Sequence, residues 1–80
     1  MRRTENIVQV KKEIMRELIP AFLSGKGYNG DDLMEDITNE TQCDDGVFYI
    51  ALRELLTIGA IKYARKQYFI VPLPHERLAR

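Results

Sequence analysis

The hydrophobic period of this chain changes at Gly59, and that change restricts the fold more than any other feature. Before it, Phe48, Ala51, Leu52, Leu55 and Leu56 recur at the spacing of a buried helical stripe. After it, Ala60-Ile61-Lys62-Tyr63-Ala64 and Gln67-Tyr68-Phe69-Ile70-Val71 alternate as strands do. Only Arg65-Lys66 separates them, which leaves room for a tight turn. Glycine suits the switch because a helix commonly ends through a left-handed residue. The chain therefore ends as helix, reversal and hairpin. Pro72 and Pro74 lack the N–H that a ladder needs and close the sheet.

Two further helices precede this unit. Ile7, Val8, Ile14, Met15, Leu18, Ile19, Phe22 and Leu23 lie at helical spacing over residues 5–24, with charges between them. Pro20 removes a donor and crowds the Arg16 carbonyl, which predicts a kink or break there. Ser24-Gly25-Lys26-Gly27 ends this helix. Asn29-Gly30-Asp31-Asp32 starts the next: Asn29 or Asp31 can cap free N–H groups, and the acids suit the positive end of the dipole. Leu33, Met34 and Ile37 form its apolar face, and the weak helix formers Thr38-Asn39-Glu40-Thr41 predict fading by Glu40. Asp44 or Asp45 opens the third helix.

Eighty residues make one domain, near the lower limit for folding without staples. With 45% hydrophobic and 30% charged residues the composition is globular. Cys43 alone forms no internal disulfide and is too little for a cysteine-built zinc site. No run approaches the roughly 18 apolar residues of a membrane span. Met1-Arg2-Arg3-Thr4-Glu5-Asn6 leads into a charged amphipathic stretch rather than a signal peptide. The reading is a soluble, cytoplasmic protein: one domain over 1–80, with 1–5 as a flexible basic arm and 73–80 as a tail.

Three helices followed by a two-stranded antiparallel hairpin is the order of a winged helix-turn-helix. Residues 51–71, Ala-Leu-Arg-Glu-Leu-Leu-Thr-Ile-Gly-Ala-Ile-Lys-Tyr and then Ala-Arg-Lys-Gln-Tyr-Phe-Ile-Val, resemble the end of a recognition helix, its glycine corner and the wing strands of that superfamily. The resemblance implies an α+β winged-helix fold with the third helix in the major groove and the wing on the backbone or minor groove. Two features depart from it. The stretch Ile37 to Asp44 is longer than a tight helix-turn-helix turn, which predicts unusual spacing of the second and third helices. With Phe48, Ala51 and Leu52 buried, the third helix exposes Asp45, Gly46, Val47, Tyr49, Ile50 and Arg53. Base readers are typically Arg, Lys, Asn and Gln, so Arg53 stands alone, and Asp44 and Asp45 repel phosphate.

Formal net charge is zero, but the charges are segregated. Arg2, Arg3, Lys11, Lys12, Arg16 and Lys26 dominate the first third. Asp31, Asp32, Glu35, Asp36, Glu40, Asp44, Asp45 and Glu54 dominate the middle. Lys62, Arg65, Lys66, Arg77 and Arg80 dominate the end. Lys62, Arg65 and Lys66 on the hairpin, with Arg2 and Arg3 as an arm and Lys11, Lys12 and Arg16 on the first helix, are candidate phosphate contacts. Val47, Tyr49 and Ile50 are candidates for thymine methyls or for a protein interface.

The remaining motifs carry less. Asp31, Asp32, Glu35 and Asp36 lack the spacing and glycine turn of a calcium loop and read as acids stabilising a helix start. Cys43 reads as a small, partly buried residue, since Asp44 and Asp45 oppose thiolate formation. His75 has no partner triad, and Gly25-Lys26-Gly27 is too short for a phosphate loop. Asn39-Glu40-Thr41 is a sequon without an export signal. No nucleophile, base and oxyanion site assembles, so no enzyme, cofactor or metal is expected. The expected function is a DNA-binding transcriptional regulator using Val47, Tyr49, Ile50 and Arg53 for readout. It would be a homodimer through the first helix or the tail. The alternative is a protein-interaction module using the acidic and apolar face of the third helix.

Overall fold

The computed structural model describes residues 3–72 of the chain, with side chains from Asn6 onward. It is an α+β structure of three helices and a three-stranded antiparallel sheet: α1 Arg3–Leu23, β1 Tyr28–Asn29, α2 Gly30–Thr41, α3 Asp45–Thr57, β2 Ile61–Ala64 and β3 Gln67–Ile70. No helix among the described residues is long and apolar enough to cross a membrane.

Local chemistry explains the helix boundaries. The Asn29 side chain accepts from the N–H groups of Asp31 and Asp32 at 2.9 and 3.1 Å, and Asp44 accepts from Val47 N at 2.9 Å. Each satisfies donors that the first turn leaves free. α1 and α3 end alike. Lys26 N donates to Ala21 O and Ala60 N to Leu55 O, with Gly25 (φ 73°) and Gly59 (φ 79°) supplying the left-handed residue between. The sequence shows Gly59 at the end of the stripe, and here it turns the chain into β2.

The helix boundaries differ from those expected. Of the kink or break predicted at Pro20, the break does not occur, and α1 continues through it to Leu23. The proline lies in the last turn on the exposed side, so the donor it removes leaves the Arg16 carbonyl near solvent. α2 does not fade at Glu40 but continues through Thr41, and the hydroxyls of Thr38 and Thr41 donate back to the carbonyls of Met34 and Ile37 at 2.8 Å. Gln42 then caps it in the left-handed region, φ 59°. The connection to α3 is reduced to Gln42-Cys43-Asp44, so the wide spacing inferred from Ile37 to Asp44 does not occur.

The hairpin also gains a third strand. β1 pairs with β3 (Tyr28 opposite Tyr68, Asn29 opposite Gln67), giving the order β1-β3-β2. Two residues are too few for alternation to register in a sequence. Gly27 makes the approach possible: a Cβ there would lie 2.6 Å from the Phe69 ring and 2.9 Å from Gln67 Cβ. The core is built from Val10, Ile14 and Leu18 of α1, Leu33 and Ile37 of α2, Val47, Phe48, Ala51, Leu52 and Leu55 of α3, and Ile61 of β2. Val10 was absent from the sequence-derived stripe, whereas Val8, Ile19, Phe22 and Leu23 are exposed.

Candidate functional site

Among the described residues, the reversal between β2 and β3 holds the one pair of consecutive non-glycine residues with positive φ. Arg65 and Lys66 have φ of 52° and 64°, so both central residues of the turn are left-handed. Such turns suit the twist of a hairpin but are normally filled by Asn-Gly or similar pairs. A residue with a Cβ pays about 1–2 kcal/mol to stand there. Several contacts hold the pair in place. Gly30 N donates to the Lys66 carbonyl at 3.0 Å, tying the turn to the start of α2. β1 pairs with β3 immediately beside it, and the rings of Tyr63 and Tyr68 meet across the hairpin at 4.7 Å. The side chains of Arg65 and Lys66 are exposed, as is Lys62, whose Nζ lies 5.8 Å above the Phe69 ring.

Strand register sets Tyr28, Tyr68 and Tyr63 abreast across the sheet. Tyr28 and Tyr68 pack against the core while Tyr63 stands largely in solvent. Burial raises the pKa of the Tyr68 hydroxyl, and the nearby phenols of Tyr63 and Tyr49 add to the shift. Asn29, Gly30, Asp31, Tyr63 and Lys66 surround a recess of about 250 Å³.

The outer stripe of α3 consists of Tyr49, Ile50, Arg53 and Thr57, all exposed. Val47 does not belong to it. It is 8% exposed and sits in the core with Phe48 and Ala51. The error is one of helix rotation: Val47 lies one turn before Ala51 and two before Leu55, on their face rather than beside Tyr49. Neither base readout nor a protein patch on α3 can use it, which leaves Tyr49, Ile50 and Arg53.

The basic residues of α1 lie elsewhere. Lys11 Nζ is bound to Glu54 at 2.8 Å and Arg16 to Glu13 at 3.5 Å. With Lys12 they border a groove between α1 and the end of α3, not the recess at Lys66. Arg53 lines a third hollow with Lys11, Glu54, Thr57 and Ile58. Arg2, the side chain of Arg3 and the tail from residue 73 fall outside the described residues.

The acidic middle has structural work. Asp31 and Asp32 offer their backbone N–H groups to Asn29, and the Tyr28 hydroxyl, with one proton to give, lies between the carboxylates of Asp36, its nearer acceptor, and Glu17 at 3.2 Å. That hydroxyl is held well above its ordinary pKa, first by burial and then by Asp36 and Glu17. Among the described residues, no three His, Cys, Asp or Glu side chains gather as metal ligands would. Cys43 is partly buried against the core.

The sequence-derived candidates thus fall into three groups: the hairpin cations, with Arg65 and Lys66 at the turn and Lys62 on the Phe69 face of the sheet; the exposed α3 residues Tyr49, Ile50 and Arg53; and the α1 set, which borders a separate groove. Tyr63 and Tyr68 were not singled out from the sequence. Their signal was their position flanking a two-residue turn, which makes them cross-strand partners. No family model, curated protein or solved structure matches this chain.

Proposed function

We propose that this chain is a winged-helix domain that binds duplex DNA, with the β2–β3 hairpin as its principal contact and α3 as a secondary one. The carrying observation is the Arg65-Lys66 turn: two exposed cations in a backbone conformation that glycine or asparagine would occupy at lower free energy. Backbone strain of this kind tends to collect at functional positions. Here it places two positive charges at the tip of an anchored hairpin, with Lys62 behind them. Three helices with a C-terminal hairpin support the winged-helix resemblance, to which the structure adds the short strand β1 between α1 and α2. That a winged helix binds DNA is an argument by analogy; the charges and the strain belong to this chain.

In this reading Lys62, Arg65 and Lys66 contact phosphates, which gives affinity without sequence information. Tyr49, Ile50 and Arg53 face the bases, and specificity rests on apolar contact and Arg53 because α3 offers little else. Asp44 and Asp45 keep the start of α3 away from phosphate.

The test is fluorescence anisotropy of a labelled mixed-sequence duplex with the wild-type chain and with Arg65→Asn/Lys66→Gly. The pair Asn-Gly fits the turn, so the variant keeps its fold and loses both charges. The expected result is duplex affinity at least tenfold weaker, with similar loss on every sequence. Equal binding by wild type and variant removes the hairpin from the interface, and no binding by wild type even at low salt ends the DNA reading.

A further inference from the structure

Large apolar side chains stand in solvent along one side of the molecule, away from the hairpin tip. Val8, Ile19, Phe22 and Leu23 of α1, and Ile58 just beyond α3, are between 43% and 77% exposed. On α1 the positions Val8, Lys12, Met15, Ile19 and Phe22 follow at intervals of four, three, four and three. That is the repeat of a helix–helix seam. It lies about a third of a turn from the core stripe of Val10, Ile14 and Leu18, and of its residues only Met15 packs in part against the core. Ile58 rises beside the seam, and Val8, Met15, Ile19, Leu55 and Ile58 line a groove of about 440 Å³ between them.

We infer that this face is the contact between two copies of the chain, related by a two-fold axis, each α1 lying along the groove of the other. The area fits. A fully exposed large apolar side chain presents on the order of 150–200 Å². Val8, Ile19, Phe22, Leu23 and Ile58 then offer about 500 Å² per protomer, or about 1,000 Å² per pair before the stems of Lys12 and Arg16 are added. That reaches the size at which specific interfaces begin. It is also near the upper end of what a monomer leaves exposed.

Shape and charge select a second copy as the occupant. The raised stripe and the groove occupy the same face, as a two-fold contact requires, since each surface must be its own complement. The rim carries Lys11, Lys12 and Arg16, but Lys11 is paired with Glu54 and Arg16 with Glu13. Two of these cations therefore bring their own counter-charge, which lowers the repulsion between identical rims. Lys12 sits in the seam, where its stem packs and its ammonium reaches water. A single lysine at such a position favours one register over its neighbours.

The proposal does not depend on DNA binding, and its readout is mass. Sedimentation equilibrium of the full chain is run from about 1 to 300 µM beside the variant Val8→Glu/Ile19→Glu. Both positions are exposed, and far-ultraviolet circular dichroism confirms that the variant is folded. The expected wild-type mass at the upper concentrations is twice 9.3 kDa. The variant is expected to dissociate at concentrations at least tenfold higher than the wild type. A wild type that stays at 9.3 kDa throughout overturns the proposal, whatever else then covers the face. A dimer that the two glutamates leave intact overturns it as well, because the contact must then lie elsewhere.

Discussion

Arg65 and Lys66 hold a conformation that their own side chains oppose, so their contribution to stability is negative even where their contribution to function is positive. Replacing them with Asn and Gly relieves about 1–2 kcal/mol of local cost. In a domain of this size each kcal/mol moves the melting temperature by ~4–8 °C. Arg65→Asn/Lys66→Gly is therefore expected to melt higher than the wild type by differential scanning fluorimetry while binding duplex more weakly. An unchanged or lower melting temperature contradicts the strain assigned to the turn. Tyr28 gives a residue-scale prediction of a different kind. Its hydroxyl pKa in the folded chain lies above the ordinary 10.0, so the folded state holds the phenolic proton more tightly than the unfolded chain does. The associated stability is complete below pH 10 and is lost progressively as pH rises above that value. Tyr68 is raised too and contributes with the same sign. Urea midpoints measured from pH 9 to 11.5 are expected to fall for the wild type and to fall less steeply for Tyr28→Phe. Parallel curves for the two proteins refute the assignment. Neither feature was legible in the sequence: a turn between Arg65 and Lys66 follows from spacing, but its handedness depends on strand twist and on Gly30 gripping Lys66 O.

At the scale of elements, what could be read from the sequence was whatever depends on neighbours in the chain. Caps at Asn29 and Asp44, glycine exits at Gly25 and Gly59, the stripe of α3 and the two-residue turn are all local chemistry, and each stands where the sequence placed it or within a choice it left open. What was missed depends on residues distant in sequence. β1 forms because Gly27 lets Phe69 approach, and the face of α1 is chosen by what α2 and α3 bring to it, which is why Val10 is inside and Val8 outside. Val47 follows the same rule. An apolar residue at the start of a helix fits either side until the packing partner is known. Asn29 is where the two kinds of information meet, since it is the last residue of β1 and the N-cap of α2. Asn29→Ala is expected to cost about 1 kcal/mol through the lost cap. Asn29→Ser, which keeps an acceptor for the Asp31 and Asp32 N–H groups, is expected to recover most of it. Equal destabilisation by Ala and Ser in urea unfolding would place the role of Asn29 in strand pairing instead.

At the scale of the whole molecule, the segregated charges of the sequence become a question about how many phosphates one protomer can hold. The sequence alone invites a count that adds hairpin, first helix and N-terminal arginines into one basic surface. The structure separates the hairpin cations from those of the first helix. Lys62, Arg65 and Lys66 project from the hairpin, whereas Lys11 and Arg16 are bound to Glu54 and Glu13 and border the α1 groove. Counterion release makes the logarithm of affinity fall with the logarithm of salt at about 0.9 per phosphate neutralised. Three hairpin cations then give a slope of roughly −2 to −3 per protomer, against about −5 if α1 or the arm joined them. Anisotropy titrations of one duplex at salt concentrations from 50 to 250 mM measure this directly, with stoichiometry fixed so that the slope is counted per chain. A slope near −2.5 that drops by about 2 in Arg65→Asn/Lys66→Gly identifies the hairpin as the electrostatic contact. A slope steeper than about −4 that the double variant barely changes would move the contact to α1 and the N-terminal arginines. That would set the phosphate-binding face against the self-association face, because both would then need Lys12 and Arg16.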